Sequence, residues 1–240
     1  MDARLPLKIL AQPDDATCGP TCLHALYGYY GDPVALDQVI AEVPSLKEGG
    51  TLAVFLACHA LRRGYQATMY TYNLQVFDPT WFADGDVDLR AKLRAQLAHK
   101  PDPKIQLSSR GYLEFLELGG VVRFEDLTPR LVRKYLTRLR PILTGLSATY
   151  LYHSRRELTP PVEDGDVRGL PSGHFVILCG YDKDTRQVLV ADPLRPNPLT
   201  GDDHIYAVGI ERVLGAILLG ILTDDANLLV LDPPGARKRR

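Results

Sequence analysis

Gln12-Pro13-Asp14-Asp15-Ala16-Thr17-Cys18-Gly19-Pro20-Thr21-Cys22-Leu23 is a polar turn that runs directly into a helical pattern. Cys22, Leu23, Leu26 and Tyr30 recur at three- and four-residue spacing, and Gly31 stops the run. Pro20 fits the first turn of such a helix, where a backbone N–H has no partner to lose. Cys18 therefore opens a helix from between a polar turn and Gly19-Pro20. A cysteine kept only as a small core residue sits among apolar neighbours; Cys18 does not. The positive end of a helix dipole favours a thiolate at this position.

The other cysteines read differently. Cys58 lies in Leu52-Ala-Val-Phe-Leu-Ala-Cys-His-Ala-Leu61 and Cys179 in Phe175-Val-Ile-Leu-Cys179, both core patterns. Cys22 falls one turn after Cys18 on the same helix face and is expected to pack; a resolving thiol is the sharper alternative, disfavoured because a disulfide at spacing four strains a helix. The four cysteines are too few and scattered for a disulfide framework and lack paired Cys-x-x-Cys spacing for structural zinc.

A cysteine nucleophile needs a base, an orienter for that base and donors for an oxyanion. His174 opens the apolar run Ser172-Gly-His-Phe-Val-Ile-Leu-Cys-Gly-Tyr181, where the small residue before it leaves the imidazole accessible. Asp192 ends the next run, Val190-Ala-Asp-Pro193, 18 positions after the histidine. Asp182-Lys-Asp-Thr-Arg186 between the runs is a hairpin signal, so the two residues can approach across a strand pair. Gln12, six positions before the cysteine, offers a side-chain amide beside the backbone N–H of Cys18.

Gln12 to Leu23 resembles the catalytic-cysteine segment of the peptidase C39-like family, a branch of the papain-like cysteine peptidases. Gly173-His-Phe-Val-Ile-Leu-Cys-Gly-Tyr-Asp182 resembles that family's histidine strand, and Val190-Ala-Asp-Pro193 its aspartate turn. The order glutamine, cysteine, histidine, aspartate is the papain-like order. The resemblance implies Cys18 as nucleophile, His174 as general base and then acid, Asp192 as orienter and Gln12 as oxyanion donor. It implies a peptide or protein substrate and no cofactor or metal. The family includes leader-peptide proteases of bacteriocin exporters. This chain has no Walker phosphate loop and no membrane-length apolar stretch; its most apolar run, Val213 to Leu222, falls short of the about 18 residues a spanning helix needs.

The rest of the chain sets the frame. Helices are expected over Val34–Glu42, Thr51–Arg63, 88–99, 108–118 and Pro129–Leu139, and strands over Tyr65–Tyr72, Gln187–Ala191 and Asn227–Leu231. Pro141 to Tyr152 reads as one bent strand or two short ones, 153–172 as a long loop, and Ile210 to Leu219 as a helix. Helices first and antiparallel strands later predict an α+β fold. The catalytic candidates come from both ends of the 240 residues, so one papain-like domain over 1–240 is expected, enlarged by a helical section at about 75–140 and ending in a disordered basic tail at 235–240.

Composition excludes several classes. Hydrophobic residues are 45% and charged residues 24%, an ordinary soluble mixture. Lys plus Arg is 28 against 29 for Asp plus Glu, which gives no electrostatic reason for a nucleic-acid or membrane partner. Met1 to Lys8 holds a proline and a lysine where a signal peptide needs an unbroken apolar stretch, so a cytoplasmic protein is expected, and the family resemblance implies a bacterial one. Asp84-Gly-Asp-Val-Asp88 is rejected as a calcium loop, because the glycine is misplaced and Ala95 stands where a bidentate Glu is required. Glu163, Asp164 and Asp166 read as a solvated face, and His24, His59, His99 and His204 as single residues without a role. The competing functions are a hydrolase, an acyl transferase that passes the thioester to an amine or thiol, and a silent peptide-binding module. The intact Cys18, His174 and Asp192 argue against the last.

Overall fold

The structure, a computed structural model, describes residues 3–47, 49–83, 85, 87–158, 165–223 and 225–235. The fold is α+β, as the sequence predicts. Strands β1 (Ala3–Arg4), β2 (Gln66–Thr71), β3 (Val121–Arg123), β4 (Ile142–Ser147), β5 (Gly173–Asp182), β6 (Gln187–Ala191), β7 (Ile205–Gly209) and β8 (Asn227–Asp232) form one sheet in the order β3-β2-β8-β4-β5-β6-β7. Only the β2–β3 pair is parallel; β1 continues the β4 side of β5 by pairing Ala3 with Tyr181 and Arg4 with Gly180. Ile142, Leu143, Leu178, Ile177 and Val230 pair across the sheet centre and are fully or nearly fully buried, as expected for strands covered on both faces.

The helices are α1 (Cys18–Tyr29), α2 (Leu36–Glu42), α3 (Ala53–Arg62), α4 (Leu89–His99), α5 (Pro103–Glu117), α6 (Pro129–Leu136), α7 (Ala148–Tyr152), α8 (Gly165–Arg168) and α9 (Ile210–Leu219). Helix α1 lies against β5. A Cβ on Gly19 would stand 2.8 Å from Thr51 Cγ2 and 3.2 Å from Phe175 Cδ2, so only glycine lets the start of α1 approach the strand this closely. Three α-helix starts in the middle section are capped by side chains: Asp88 for α4, Asp102 for α5 and Thr128 for α6. Helix α5 crosses α3 at Gly111, where a Cβ would meet Val54 Cγ1 at 2.7 Å. The middle section is thereby fastened to the helix next to α1.

Three expectations need correction. The 75–140 section is not purely helical, because β3 lies within it and extends the sheet beside β2; three residues are too few to show an alternation. The 141–152 stretch is a strand only as far as Ser147. That serine's hydroxyl accepts from the Tyr150 N–H and starts α7, so Ala148–Tyr152 is helical rather than strand. Strand β7 was not expected, although Ile205-Tyr-Ala-Val-Gly209 alternates exposed and buried. The loop after α7 closes through a bridge between Glu157 and Leu170 and contains α8. Glu163 and Asp164, Asp84 and Asp86 of the rejected calcium loop, and 236–240 of the basic tail lie outside the described residues. No helix among the described residues is long and apolar enough to cross a membrane.

Candidate active site

Cys18 is the first residue of α1, and His174 is the second residue of β5. The residue before each is small or turn-forming, so each side chain stands at an element's end rather than inside it. The two meet because α1 packs along β5, and Cys22, one turn into the helix, donates its thiol hydrogen to the Phe175 carbonyl at 3.3 Å. The Cys18 thiol lies within electrostatic range of the His174 imidazole. Both residues are buried, at 7% and 6% exposure, so their charges interact in a medium poorer than water.

Asp192 follows the last residue of β6, and the β5–β6 hairpin brings its Oδ1 to 2.8 Å from His174 Nε2. With Nε2 taken, Nδ1 is the nitrogen left for Cys18. Asp192 is fully buried and its carboxylate is saturated with donors. Oδ1 also accepts from the Leu194 N–H at 3.0 Å. Oδ2 accepts from the Tyr152 hydroxyl at 2.7 Å, the Tyr206 hydroxyl at 2.6 Å and Asn197 Nδ2 at 3.0 Å.

Burial pushes the Cys18 pKa up, but the His174 charge and the amides of Phe175 and Gly19 outweigh burial and leave it below the ordinary thiol value. Burial disfavours the His174 cation, yet the Cys18 thiolate and the Asp192 carboxylate raise its pKa to about 10. Burial likewise opposes the Asp192 charge, and His174, the Tyr206 hydroxyl and the Leu194 amide bring its pKa down to about 2. Each shift favours the charged form of its group: the thiolate of Cys18, the imidazolium of His174 and the carboxylate of Asp192. The remaining thiols contrast sharply. Burial raises Cys22 well above the ordinary value and holds Cys58 and Cys179 at about 12.

Gln12 reaches the same place through its backbone, whose N–H donates to the Pro193 carbonyl at 2.9 Å, next to Asp192. Its side-chain amide donates one hydrogen to the Asp14 carbonyl at 2.9 Å, which leaves one N–H for another acceptor. Asp14 shapes this loop: its carboxylate accepts from the Ala16 N–H at 2.8 Å and its carbonyl from the Thr17 hydroxyl at 3.1 Å. Thr17 gives α1 no side-chain cap, so no capping oxygen occupies the first-turn amides.

Cys18, His174 and Asp192 thus come together, while Gln12 joins them through its backbone bond to Pro193 and turns its side-chain amide to Asp14. Sequence reading missed Tyr152, Tyr206 and Asn197. Asn197 sits five residues after Asp192 in Arg195-Pro-Asn-Pro198 and was within local reach; the tyrosines arrive from α7 and β7, and no spacing announces them. Two histidines read as roleless have partners. His204 Nδ1 lies 2.8 Å from the Asp192 carbonyl, and buried His59 bridges Tyr27 and Glu42 at 2.7 and 2.9 Å.

No family model and no curated protein matches the chain. Solved structures do resemble it. One is a double glycine motif protease from an AMS/PCAT transporter, in complex with its leader peptide, at TM-score 0.46 and 14% identity, covering 96% of this chain and 94% of that one. A candidate C39-like peptidase from Bacillus anthracis has TM-score 0.47 and 14% identity, covering 96% and 97%. Xylellain, a cysteine protease from Xylella fastidiosa, has TM-score 0.43 and 15% identity, covering 96% and 85%. At these scores the chemistry of this chain rests on its own side chains.

Proposed function

We propose that the protein is a cysteine peptidase or amidase that cleaves a peptide or isopeptide bond, working as one papain-like unit over its whole length. One observation carries the reading: the Cys18 thiol at the start of α1 lies within electrostatic range of an imidazole whose Nε2 is 2.8 Å from a fully buried carboxylate. Cys18 supplies the thiolate that attacks the carbonyl carbon, and the carbonyl oxygen takes the negative charge. The Cys18 N–H at the start of α1 and the remaining Gln12 N–H are the donors for that oxygen. The His174 imidazolium gives its proton to the leaving amine, which departs and leaves a thioester on Cys18. Neutral His174 then takes a proton from water, the hydroxide attacks the thioester, and the carboxylic acid leaves as the thiol is restored. Asp192 keeps the imidazole oriented throughout and stabilises its cationic form.

The substrate is a peptide or protein, and the setting is the cytoplasm, where thiols persist unpaired; all four cysteines are free. The test is a mixed peptide library incubated with the protein and read by mass spectrometry. Wild type generates new termini and a transient acyl adduct on Cys18. Cys18→Ala generates neither, and His174→Ala is slowed by about 10²–10⁴-fold. Equal cleavage by wild type and Cys18→Ala, or no cleavage and no adduct in wild type, would overturn the reading.

A further inference from the structure

The carboxylate of Asp192 is bound by far more donors than an orienting role needs. One hydrogen bond to Nε2 fixes the imidazole plane; four further donors come from Leu194, Asn197, Tyr152 and Tyr206. Leu194 and Asn197 belong to the segment just after Asp192 and hold the carboxylate locally. The two hydroxyls come from elsewhere: Tyr152 ends α7, and Tyr206 lies on β7. Both rings are buried, and the Tyr152 ring also lies against His174, 6.1 Å between centroids. Burial and the Asp192 charge raise the pKa of both phenols, so each stays protonated and each can only donate to the carboxylate.

A carboxylate that accepts several hydrogen bonds is a weaker base than one that accepts few. That matters beside a charged imidazole. A strongly basic Asp192 would compete for the Nε2 proton and return His174 to a neutral ring, and the thiolate would lose its counter-charge. The titratable groups facing Asp192 are His174 from β5, Tyr152 from α7 and Tyr206 from β7; Cys22 of α1 lies within electrostatic range, Cys18 faces the same His174, and His204 meets its backbone carbonyl. Among these, the tyrosines alone are neutral donors to the carboxylate.

We propose that Tyr152 and Tyr206 are positioning residues whose hydroxyls keep Asp192 a weakly basic carboxylate, so that it orients His174 without taking its proton. The proposal rests on the reading that Cys18 and His174 form a nucleophile–base pair. Replacing either tyrosine by phenylalanine keeps the ring and removes only the donor. Asp192 then becomes the stronger base, pulls harder on the Nε2 proton, and itself takes up a proton at a higher pH.

The experiment uses the full chain as wild type, Tyr152→Phe, Tyr206→Phe and the double variant. The readout is the low-field proton NMR signal of His174 Nε2–H, assigned by its loss in His174→Ala. In each single variant the signal moves further downfield, and the pH at which acid abolishes it rises by about one unit per hydroxyl removed. The acid limb of Cys18 alkylation by iodoacetamide rises with it. A signal with unchanged position and unchanged acid limb, beside a lowered melting temperature, would show that the hydroxyls only pack and would overturn the proposal. Absence of the signal in the wild type would overturn it as well. Should the double variant fail to fold, the two single variants decide. If wild-type Cys18 alkylates like an ordinary thiol, the nucleophile reading fails, yet the response of the His174 signal still decides what the tyrosines do.

Discussion

Replacing Asp192 by asparagine removes one charge and almost no volume. In the folded protein the Asp192 pKa lies at about 2 against an ordinary 3.8. That displacement contributes about 2–3 kcal/mol of stability at neutral pH. A depressed carboxylate pKa stabilises the fold above the unfolded-state value, and the stability is lost as pH falls through the folded-state value. The contribution is therefore complete near pH 5 and above, and gone near pH 2. The asparagine amide adds a second cost. Turned one way it sets its NH₂ against Asn197 and the two tyrosine hydroxyls; turned the other way it faces the Leu194 N–H and His174. Breaking a buried charge pair on one side costs about 3–5 kcal/mol. Urea unfolding from pH 7 down to pH 2.5 is the assay. Asp192→Asn should be less stable by about 3–5 kcal/mol at pH 7, with the gap to wild type narrowing between about pH 5 and pH 2. A gap under about 1 kcal/mol at pH 7, or one that does not change with pH, would refute the reasoning.

Other outcomes follow from the same geometry. Gly19→Ala sets a Cβ 2.8 Å from Thr51 Cγ2 and 3.2 Å from Leu56 Cδ1. It should cost about 1–3 kcal/mol in thermal unfolding and slow Cys18 alkylation by moving the helix start; an unchanged alkylation rate would mean that the close approach does not position the sulfur. Cys22→Ala removes a thiol hydrogen bond to Phe175 and should cost about 1–2 kcal/mol while leaving Cys18 alkylation nearly unchanged, which peptide mapping checks. A large loss of Cys18 reactivity there would give Cys22 a chemical role. In wild type, Cys58 and Cys179, both held at about 12, should resist alkylation at pH 8 until urea unfolds the chain. On the alkaline side, the His174 pKa is raised from 6.5 to about 10. Its stabilisation is complete below about pH 6.5 and lost as pH rises through about 10, so His174→Ala should flatten that limb of the stability profile.

The legible parts of this protein are those written in adjacent residues. Cys18 stood out because its neighbours were wrong for a core, and His174 and Asp192 because a ten-residue apolar run, a polar turn and a second run make a hairpin whose ends meet. Helix starts were legible where Asp or Thr precedes a periodic run or a Pro, as at Asp88 and Thr128, but α5 starts at Pro103, ahead of the expected 108. What stayed hidden depends on tertiary contact. Val121 to Arg123 is a strand only because β2 lies beside it. The Thr149 to Tyr152 stretch carries strand-forming residues yet turns helical from the Ser147 cap. The donors on Asp192 come from 40 residues before it and 14 after it, and neither tyrosine differs locally from any other buried aromatic. His59 and His204 looked solitary for the same reason.

The central claim is that His174 makes Cys18 a thiolate. Its most direct test is the pH dependence of Cys18 alkylation by iodoacetamide in wild type and in His174→Ala. The wild-type midpoint should lie below the ordinary thiol value, since the imidazolium outweighs burial. In His174→Ala only burial and two amides remain, so the midpoint should climb to the ordinary value or beyond it. Identical midpoints in the two proteins, or a wild-type midpoint at or above that of a free thiol, would contradict the claim.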